Sequence, residues 1–519
     1  MRTPKVLFIY PPIQLTDIET PRPDGSLGPL YLAGALREIG IEADIIDASV
    51  GTPEDDVKDT FHRSVSQENG LIRIGMSWER IEEVLGQRNY DIIGIHSNFT
   101  PQTRMVLKVA EIAKKINPET LVISGGVNAR AIPKYLFRDG LVDLVCTTEG
   151  EKVMVDIVNG WTRDQSIKGL QGIPGTICRK SERKNAEILA TPLGLNTVTS
   201  DLDKLPIPAW DKLPFEKYDQ ISATPGISLI GHNLRHASMM TSRGCPFRCL
   251  YCHISREKGD GLEDTGDIGS YRVKSVDRVF KEIEILKHLG VKRVFLEDDS
   301  LLAKKSRVKE IFNGLLGAGL TMLGINGVNL VHFFQRNNVG KLVPDEDYMQ
   351  LLQSSGFGQI VFPIESGSQR ILDKYATAKL KLPIMDVVGL VQVAKKVGIV
   401  CPINMMIGFP DESEEEMLMS VDLARKLIDA GAPYVTFFIP IPFPGCDLYD
   451  IALAGGYLNQ EFDPDIFNWK KPVMENTVVA PQRIEEIREW AQGTVNTKEH
   501  VANRIKESAG ARRWDSNDL

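Results

Sequence analysis

The chain has 519 residues, of which 42% are hydrophobic and 25% are charged. This balance is typical of soluble globular protein, and at roughly 100–200 residues per domain the length predicts three or four domains. The net charge of -8 argues against a broad nucleic-acid surface, and no stretch approaches the ~18 apolar residues of a membrane span. The N-terminus predicts no signal peptide, and seven mostly scattered cysteines favour a reducing cytoplasm.

Residues 1–160 alternate short apolar runs with amphipathic segments. Apolar residues recur at three and four positions in Leu27–Ile39 and Met105–Ile116, which predicts helices. Strand–helix alternation predicts a Rossmann-like α/β domain, whose parallel sheet binds ligands beyond the carboxyl ends of its strands. The predicted strands are Val6–Tyr10, Ala43–Asp47, Asp91–His96, Leu121–Ser124 and Val142–Thr147.

Residues 161–228 show weaker periodicity. The run from Asp201 to Pro214 contains three prolines. Proline lacks the amide proton that helix interiors and central strands need. The composition therefore predicts a Pro-rich interdomain linker, to which no chemistry is assigned.

Residues 229–455 show a second alternation with longer helices. Six β–α units predict a partial (β/α)6 barrel, whose chemistry sits at the carboxyl ends of its strands. The residues that follow the third strand either face a substrate or belong to a solvated loop. They are Asn326, Asn329, His332, Phe333, Phe334, Gln335 and Arg336. Residues 456–519 predict a small α-rich C-terminal region. The predicted barrel strands lie near 237–242, 292–297, 321–325, 359–364, 400–407 and 434–441.

Three of the seven cysteines, Cys245, Cys249 and Cys252, fall within eight residues. Thiolates hold both zinc ions and iron–sulfur clusters. A structural zinc site needs four ligands, and no second Cys/His pair of zinc spacing follows, although His253 adjoins Cys252. Three thiolates on a cubane leave one iron open for a substrate, so the spacing favours a 4Fe-4S cluster.

The cysteine run resembles the signature of the radical S-adenosylmethionine (SAM) enzymes, including the aromatic residue before its last cysteine. The ends of later strands resemble the SAM-binding segments of that family, in the same order. A helix N-cap is the alternative for Asp299. A buried glutamate at a strand end favours function, because an unpaired buried charge is costly. The SAM contacts implied by the resemblance are Tyr251, Asp298, Asp299, Glu365, Ser366, Ile407 and Gly408.

The N-terminal part resembles the cobalamin-binding domain that is often fused ahead of such a barrel. The resemblance is carried by the segments 28–33, 94–101, 125–126 and 148–151, and a glycine pair after a strand leaves room for a bulky ligand. The D-x-H-x-x-G loop of the wider cobalamin family is absent, and Asn128 replaces a family histidine. His96 lies in an apolar strand and is expected to be a core residue. The implied cobalamin contacts are Ser97, Asn98, Thr100, Gly125, Gly126, Asn128 and Glu149.

Together the resemblances, from about residue 5 to 450, imply the cobalamin-binding-domain radical SAM enzyme family (class B radical SAM methyltransferase-like), with a 4Fe-4S cluster, SAM and cobalamin as cofactors. The implied reaction methylates an unactivated carbon of a small molecule or natural product in the cytoplasm, with flavodoxin or ferredoxin as electron donor. No nucleic acid, membrane span or catalytic residue is assigned. Two alternatives stay open: radical cyclisation, rearrangement or oxidation without methyl transfer, and a non-catalytic cofactor-binding scaffold.

Overall fold

The computed structural model describes residues 2–16, 19, 21, 23, 25–181, 187–192, 198–221, 234–259, 267–377, 379–459, 461–467, 471–500 and 502. These residues divide into two compact units. Within the described ranges, no helix has both the length and the apolar character needed to cross a lipid bilayer. The first unit takes in the described part of residues 1–222, 256–272 and 463–466, and the second takes in the described part of residues 223–255, 273–462 and 467–519.

The first unit alternates strands and helices along most of its length. Its strands are β1 (Val6–Tyr10), β2 (Ile13–Leu15), β3 (Ala43–Asp47), β4 (Ser64–Ser66), β5 (Ile72–Ile74), β6 (Ile92–His96), β7 (Leu121–Gly125), β8 (Leu144–Cys146), β9 (Thr176–Arg179) and β10 (Ile188–Thr191). Its helices are α1 (Leu27–Glu38), α2 (Trp78–Arg88), α3 (Thr103–Ile116), α4 (Val127–Ala131), α5 (Pro133–Phe137), α6 (Gly150–Asp164) and α7 (Phe215–Gln220).

A seven-stranded sheet in the order β10-β9-β8-β7-β6-β1-β3 forms the centre of this unit. The strands β3, β1, β6, β7 and β8 are parallel, whereas β9 and β10 extend one edge in antiparallel fashion. A separate antiparallel sheet has the order β2-β5-β4. The five strands predicted from the sequence are therefore confirmed as the parallel part of the main sheet.

Alternate side chains of the central strands enter two separate cores. In β1, Leu7 and Ile9 pack with residues of α2 and α3, whereas Val6 and Phe8 pack with residues of α1 and α6. Successive side chains of a strand point to opposite faces of the sheet. Because helices cover both faces, the strand is apolar at every position.

The segment predicted as a linker contains regular structure. Strands β9 and β10 lie within it, and Arg179 of β9 forms a buried ion pair with Asp143. The Pro-rich run packs against α1, where the Ala209 amide donates to the Leu30 carbonyl over 3.0 Å and Trp210 is buried. This run is thus part of the first unit and does not act as a free spacer.

The second unit repeats the strand–helix alternation. With the segments at its borders, its strands are β11 (His236–Met239), β12 (Ser242–Arg243), β13 (Arg272–Val273), β14 (Arg293–Leu296), β15 (Thr321–Gly324), β16 (Phe334–Arg336), β17 (Leu342–Pro344), β18 (Phe357–Ile360), β19 (Phe362–Glu365), β20 (Ile403–Met406) and β21 (Val435–Phe438). The helices are α8 (His253–Arg256), α9 (Val276–His288), α10 (Lys305–Gly314), α11 (Glu346–Ser354), α12 (Gln369–Tyr375), α13 (Val387–Val397), α14 (Glu414–Ala430), α15 (Asp447–Ala454) and α16 (Pro481–Val495).

Parallel pairing in this unit follows the orders β11-β14-β15-β18 and β19-β20-β21. Strands β18 and β19 are two halves of one strand interrupted at Val361, and a parallel bridge between Gln359 and Val400 links the two sheets. The unit therefore has six parallel strand positions, as the predicted partial barrel requires. Local chemistry sets the helix ends, since a Ser413–Glu416 capping box begins α14 and Gly431 ends it at φ 119°.

A short segment near the C-terminus, residues 463–466, belongs to the first unit. Its Asp465 carboxylate accepts hydrogen bonds from the amides of Gln14 (3.0 Å) and Asn69 (2.8 Å) and forms an ion pair with Arg104. A carboxylate that several donors share contributes more than an isolated exposed ion pair. We infer that Asp465 holds this segment in place.

The variant Asp465→Ala should loosen residues 463–466 by about 1–3 kcal/mol, because two side-chain amides and a guanidinium each lose one of their acceptors. Hydrogen–deuterium exchange of this segment should therefore become faster. The matched variant Glu461→Ala removes an exposed carboxylate and should exchange like the wild type. Unchanged exchange in Asp465→Ala would show that the contact is dispensable.

Candidate active site

The loop after β11 carries the three grouped cysteines. Cys249 is buried, and Cys245 and Cys252 are partly buried. Burial, together with the neighbouring Cys249 and Cys245, raises the pKa of the Cys252 thiol. The ionised thiol is the metal ligand, and bound cations offset the cost of ionising it. A bound metal would therefore offset the cost of ionising Cys252 at this site.

A cubane binds each cysteine through a different iron, whereas a zinc ion gathers all its ligands at one point. In the described ranges, no three His, Cys, Asp or Glu side chains converge as ligands of a single ion. The donors present, three thiolates on one short loop, fit three irons of a 4Fe-4S cluster.

Two carboxylates after β14 fix the start of the cysteine loop. The Asp298 carboxylate accepts from the Thr241 amide and hydroxyl and from the Ser242 hydroxyl, over 2.6–3.0 Å. Asp299 accepts from the Gly244 amide over 2.8 Å. Burial raises the pKa of Asp298, although these hydrogen bonds oppose the rise. The N-cap alternative for Asp299 is wrong, because the next helix, α10, begins several residues later; a SAM contact from this segment stays a prediction.

The other side of the cysteine loop rests on the last residue of α12 and on the residue after it. The Leu250 amide donates to the Tyr375 carbonyl over 2.9 Å, and the Cys249 thiol lies 3.5 Å from the Ala376 carbonyl oxygen. The Leu250 carbonyl in turn accepts from the Leu448 amide over 2.8 Å. Backbone and carboxylate contacts on both sides thus hold the loop that presents the cysteines.

Glu365 ends β19 with φ 69°, a left-handed conformation that few non-glycine residues adopt. Its Oε1 accepts from the Tyr251 hydroxyl (2.9 Å) and from the Lys379 ammonium (2.8 Å). Burial and Glu365 raise the pKa of Tyr251, so its hydroxyl stays a donor. Burial alone would lower the pKa of Lys379, but Glu365 and Cys249 raise it.

The contact with Lys379 weakens the argument that a buried charge at Glu365 indicates a ligand-binding role. The carboxylate is buried, yet Lys379 neutralises its charge, with both side chains about one-tenth exposed. The cost of an unpaired charge therefore does not by itself require a ligand. Lys379 is a site residue that sequence reasoning missed, because no local pattern marks a lysine 14 positions after the glutamate as its partner.

The next residue, Ser366, is held inside the protein. Its hydroxyl accepts from the Ser368 amide over 3.0 Å and lies 3.3 Å from the Ser420 hydroxyl. A Cβ on Gly367 would lie 2.4 Å from the Met419 carbonyl oxygen of α14. The turn after β19 is thus pressed against α14, and a direct SAM contact by Ser366 stays a prediction.

Contacts with other parts of the protein fix the conformation of the segment after β20. The Ile407 side chain is buried, and a Cβ on Gly408 would lie 2.6 Å from Ile484 of α16. Glu412, which sequence reasoning did not single out, accepts from the Gly408 and Phe409 amides over 2.7 and 3.1 Å. Burial raises the pKa of Glu412 to about 8, although both amides oppose the rise. A SAM contact at Ile407 and Gly408 would involve backbone atoms.

Polar atoms without described partners lie after the third barrel strand. The Asn329 Oδ1 and His332 Nε2 atoms are buried and make no hydrogen bond to any described residue. The His332 ring packs edge-on against Phe247 of the cysteine loop, at 6.1 Å between centroids. Burial lowers the pKa of His332 to about 4, so the ring is neutral at neutral pH. This strand end therefore offers polar groups that a substrate can satisfy.

In the first unit, the carboxyl ends of β6 and β7 bring together the predicted cobalamin contacts Ser97 and Asn128. The Asn128 amide donates to the Ser97 and Thr103 hydroxyls, each over 3.0 Å. Its buried Oδ1 has no partner among the described residues. Thr100 is buried in the turn before α3. A ligand with hydrogen-bond donors would satisfy Asn128.

The two glycines after β7 differ in their surroundings. A Cβ on Gly126 would lie 2.5 Å from the Ser97 carbonyl oxygen and from Asn98 Oδ1, and its φ is 112°. This glycine therefore allows the neighbouring loop to approach closely, and a cobalamin contact at its backbone stays a prediction. A Cβ on Gly125 would meet only Cys146, at an ordinary 3.7 Å. A Cβ atom at position 125 would therefore not clash with the protein. The open space beside Gly125 is consistent with a ligand there.

Glu149 and His96, the two other candidates for cofactor contacts, already make hydrogen bonds within the protein. Glu149 accepts from Arg272 (2.8 Å) and from the Thr199 amide (3.1 Å), so its carboxylate ties loops of the first unit together. The His96 Nε2 lies 2.9 Å from the Ser26 hydroxyl. His96 is therefore engaged within the protein, as expected of a core histidine.

Comparison with known proteins identifies both parts of the chain. The family model of the Radical SAM superfamily matches residues 239–424, and that of the B12 binding domain matches residues 25–158. An uncharacterized methyltransferase of Pyrococcus horikoshii is 28% identical over 498 residues, 94% of this chain and 91% of that protein. A cytidylyl-2-hydroxyethylphosphonate methyltransferase of Streptomyces wedmorensis is 27% identical over 481 residues, 89% of this chain and 84% of that protein.

Among solved structures, the radical SAM methyltransferase TsrM from Kitasatospora setae, with cobalamin and a 4Fe-4S cluster bound, aligns with a TM-score of 0.61 at 16% identity, over 89% of this chain and 76% of that chain. This likeness supports the fold. The matched domains define the class: the protein is a radical SAM enzyme with a B12-binding domain. It is homologous to cobalamin-dependent radical SAM methyltransferases, and the cofactors that go with its two matched domains are a 4Fe-4S cluster, SAM and cobalamin.

The variant Cys249→Ala should take up no stable cluster after anaerobic reconstitution, because only two thiolates of the loop remain. Iron and sulfide analysis and the broad visible absorption would measure this. Cys401→Ala, which changes a buried cysteine of the barrel core, should keep both signals. A full cluster in Cys249→Ala would overturn the ligand assignment.

Glu412 should make stability depend on pH. Its carboxyl loses its proton near pH 4.5 when unfolded but only near pH 8 when folded, so unfolding releases a proton between these values. Stability therefore falls as the pH rises through this window, by up to about 1.4 kcal/mol per pH unit. The variant Glu412→Gln cannot ionise, and its melting temperature should rise relative to the wild type as the pH increases.

Thermal unfolding of the anaerobic protein across this pH range measures the effect. Glu415→Gln, which changes an exposed carboxyl of α14, should follow the wild type at every pH. Parallel curves for the wild type and Glu412→Gln would contradict the assignment.

Proposed function

We propose that the protein is a cobalamin-dependent radical SAM methyltransferase that methylates an unactivated carbon of a small molecule. The observation that carries the proposal is the pairing, in one chain, of a clamped three-cysteine loop with a sheet edge that has an unpartnered amide oxygen and room beside Gly125. Two relatives that align with most of the chain are named methyltransferases, which supports methyl transfer as the outcome.

Each cofactor has donors in this chain that suit it. When bound, the cluster supplies the electron that cleaves SAM, and cobalamin carries the methyl group. Cys245, Cys249 and Cys252 would bind three irons. Glu365 and the backbone at Gly408 would border SAM. The carboxylates after β14 keep the cysteines in position, since a misplaced loop would misalign the reacting groups.

In the first unit, the edge formed by Ser97, Asn98, Thr100 and Asn128 would contact cobalamin, with Gly125 leaving room for it. Asn128 would accept a hydrogen bond through its free Oδ1. Glu149 would act indirectly, by holding the adjoining loops. His96 is engaged by Ser26, so this side chain would not hold cobalamin.

The substrate and the electron donor follow from the same chemistry. Asn329 and His332 would contact polar groups of the small molecule. A flavodoxin or ferredoxin would deliver the electron. The seven cysteines all lie among the described residues and form no disulfide there, which supports a reducing cytoplasm as the site of action.

S-adenosylhomocysteine formation tests methyl transfer before any substrate is known. Reconstituted enzyme with bound cobalamin, SAM and a strong reductant should form about one equivalent of S-adenosylhomocysteine per cobalamin, because methyl transfer leaves this product. Reductive cleavage alone gives 5′-deoxyadenosine. Cytidylyl-2-hydroxyethylphosphonate is the first substrate to assay, with deuterated methyl-SAM and mass detection of the product.

The matched variants are Gly125→Leu and Gly86→Leu. The first should keep the cluster but lose cobalamin on desalting, and with it the S-adenosylhomocysteine. The second, at an open position of α2, should behave like the wild type. If 5′-deoxyadenosine forms in the wild type without S-adenosylhomocysteine, the methyltransferase proposal fails and radical chemistry without methyl transfer takes its place. If neither forms, the scaffold alternative is favoured.

A further inference from the structure

Lys379 lies beside the cysteine loop but belongs to no motif. Its ammonium contacts the Glu365 carboxylate over 2.8 Å and lies 5.8 Å from the centre of the Tyr251 ring. Tyr251 stands between Cys249 and Cys252 in the chain. The segment that carries Lys379 also supports the loop, through the Ala376 carbonyl beside the Cys249 thiol. The lysine is therefore fixed close to the cluster ligands.

Without Lys379, the cluster site would carry an excess of negative charge. Three thiolates outweigh the charge of an oxidised cubane core, Glu365 adds another negative charge, and reduction adds one electron. Other nearby cations are committed at the surface, since Arg370 and Lys374 both bind Asp411. Electrostatic interactions strengthen in a partly desolvated site. Lys379 is the described cation that contacts this buried charge.

We propose that Lys379 is a positioning residue that tunes the cluster: its ammonium compensates Glu365 and the thiolates, and so keeps the cluster's reduction potential within reach of a biological electron donor. Reduction potentials of iron–sulfur clusters depend on net charge and solvent exposure. Removing the lysine would leave the Glu365 carboxylate uncompensated, and an added electron would then be less stable. The proposal rests on the cluster site of the proposed function but not on methyl transfer.

The test is an EPR-monitored redox titration of the reconstituted full chain, without SAM, cobalamin or substrate. Lys379→Gln should make the midpoint potential of the cluster more negative by at least about 59 mV. For a one-electron couple this shift lowers the reduced-to-oxidised ratio tenfold at a given potential. Lys379→Arg keeps the charge and should stay close to the wild type. Lys381→Gln, two residues away at an exposed ion pair with Asp373, should leave the potential unchanged.

A second variant separates charge compensation from a structural role. Glu365→Gln should shift the potential upward, and Lys379→Gln/Glu365→Gln should return towards the wild type, because the pair is removed together. If Lys379→Gln takes up no iron, the upward shift in Glu365→Gln still decides the question, and its absence overturns the proposal.

Equilibrium dialysis with labelled SAM tests the alternative that Lys379 binds SAM directly. An unchanged potential in Lys379→Gln with weakened SAM binding would overturn the proposal and make the lysine a SAM contact. Because the titration needs only the cluster, a failure to form S-adenosylhomocysteine would leave this result standing. A shifted potential without methyl transfer would refute the proposed function alone.

Discussion

The buried carboxylate of Glu365 joins the parts of the barrel site. It accepts from Tyr251 of the cysteine loop and from Lys379 after α12, and it ends β19 in a left-handed conformation. Such strain persists only where the surroundings fix it. Here the two donors hold the side chain while β19 fixes the backbone. The strand end, the cysteine loop and the segment after α12 therefore depend on one oxygen atom.

Much of the fold follows from the sequence, because the strands of both units include short apolar runs. The main sheet of the first unit is buried on two faces, so its central strand β1 is apolar throughout. Strands β9 and β10 escaped prediction, since they join one side of the main sheet in antiparallel fashion and lie outside the strand–helix alternation. Their order depends on tertiary contacts such as the buried pair of Arg179 and Asp143. The packing of the Pro-rich run on α1 is also tertiary. Proline content indicates where regular structure stops but not what the chain then packs against.

The candidate site was predictable in its positions and less so in its contacts. Motif order placed the cysteines and the strand ends correctly along the chain, because parallel strands bring their carboxyl ends to one edge. Sequence could not show that Asp298 holds Thr241 or that Lys379 reaches Glu365. These partners lie 57 and 14 positions apart, and hydrogen bonds of this kind leave no periodic signal.

Several residues that resemble ligand contacts are already engaged by the protein. Asp298 binds the loop before the cysteines, Ser366 binds the turn beside α14, and Gly126 and Gly408 admit neighbouring chain segments. Substitutions there would alter ligand binding by moving loops, since a displaced backbone changes every contact it carries. Asn128 differs, because its Oδ1 is buried and has no described partner. The direct contacts of the cofactors are therefore expected to come mainly from backbone atoms and from the few polar atoms that the fold leaves unsatisfied.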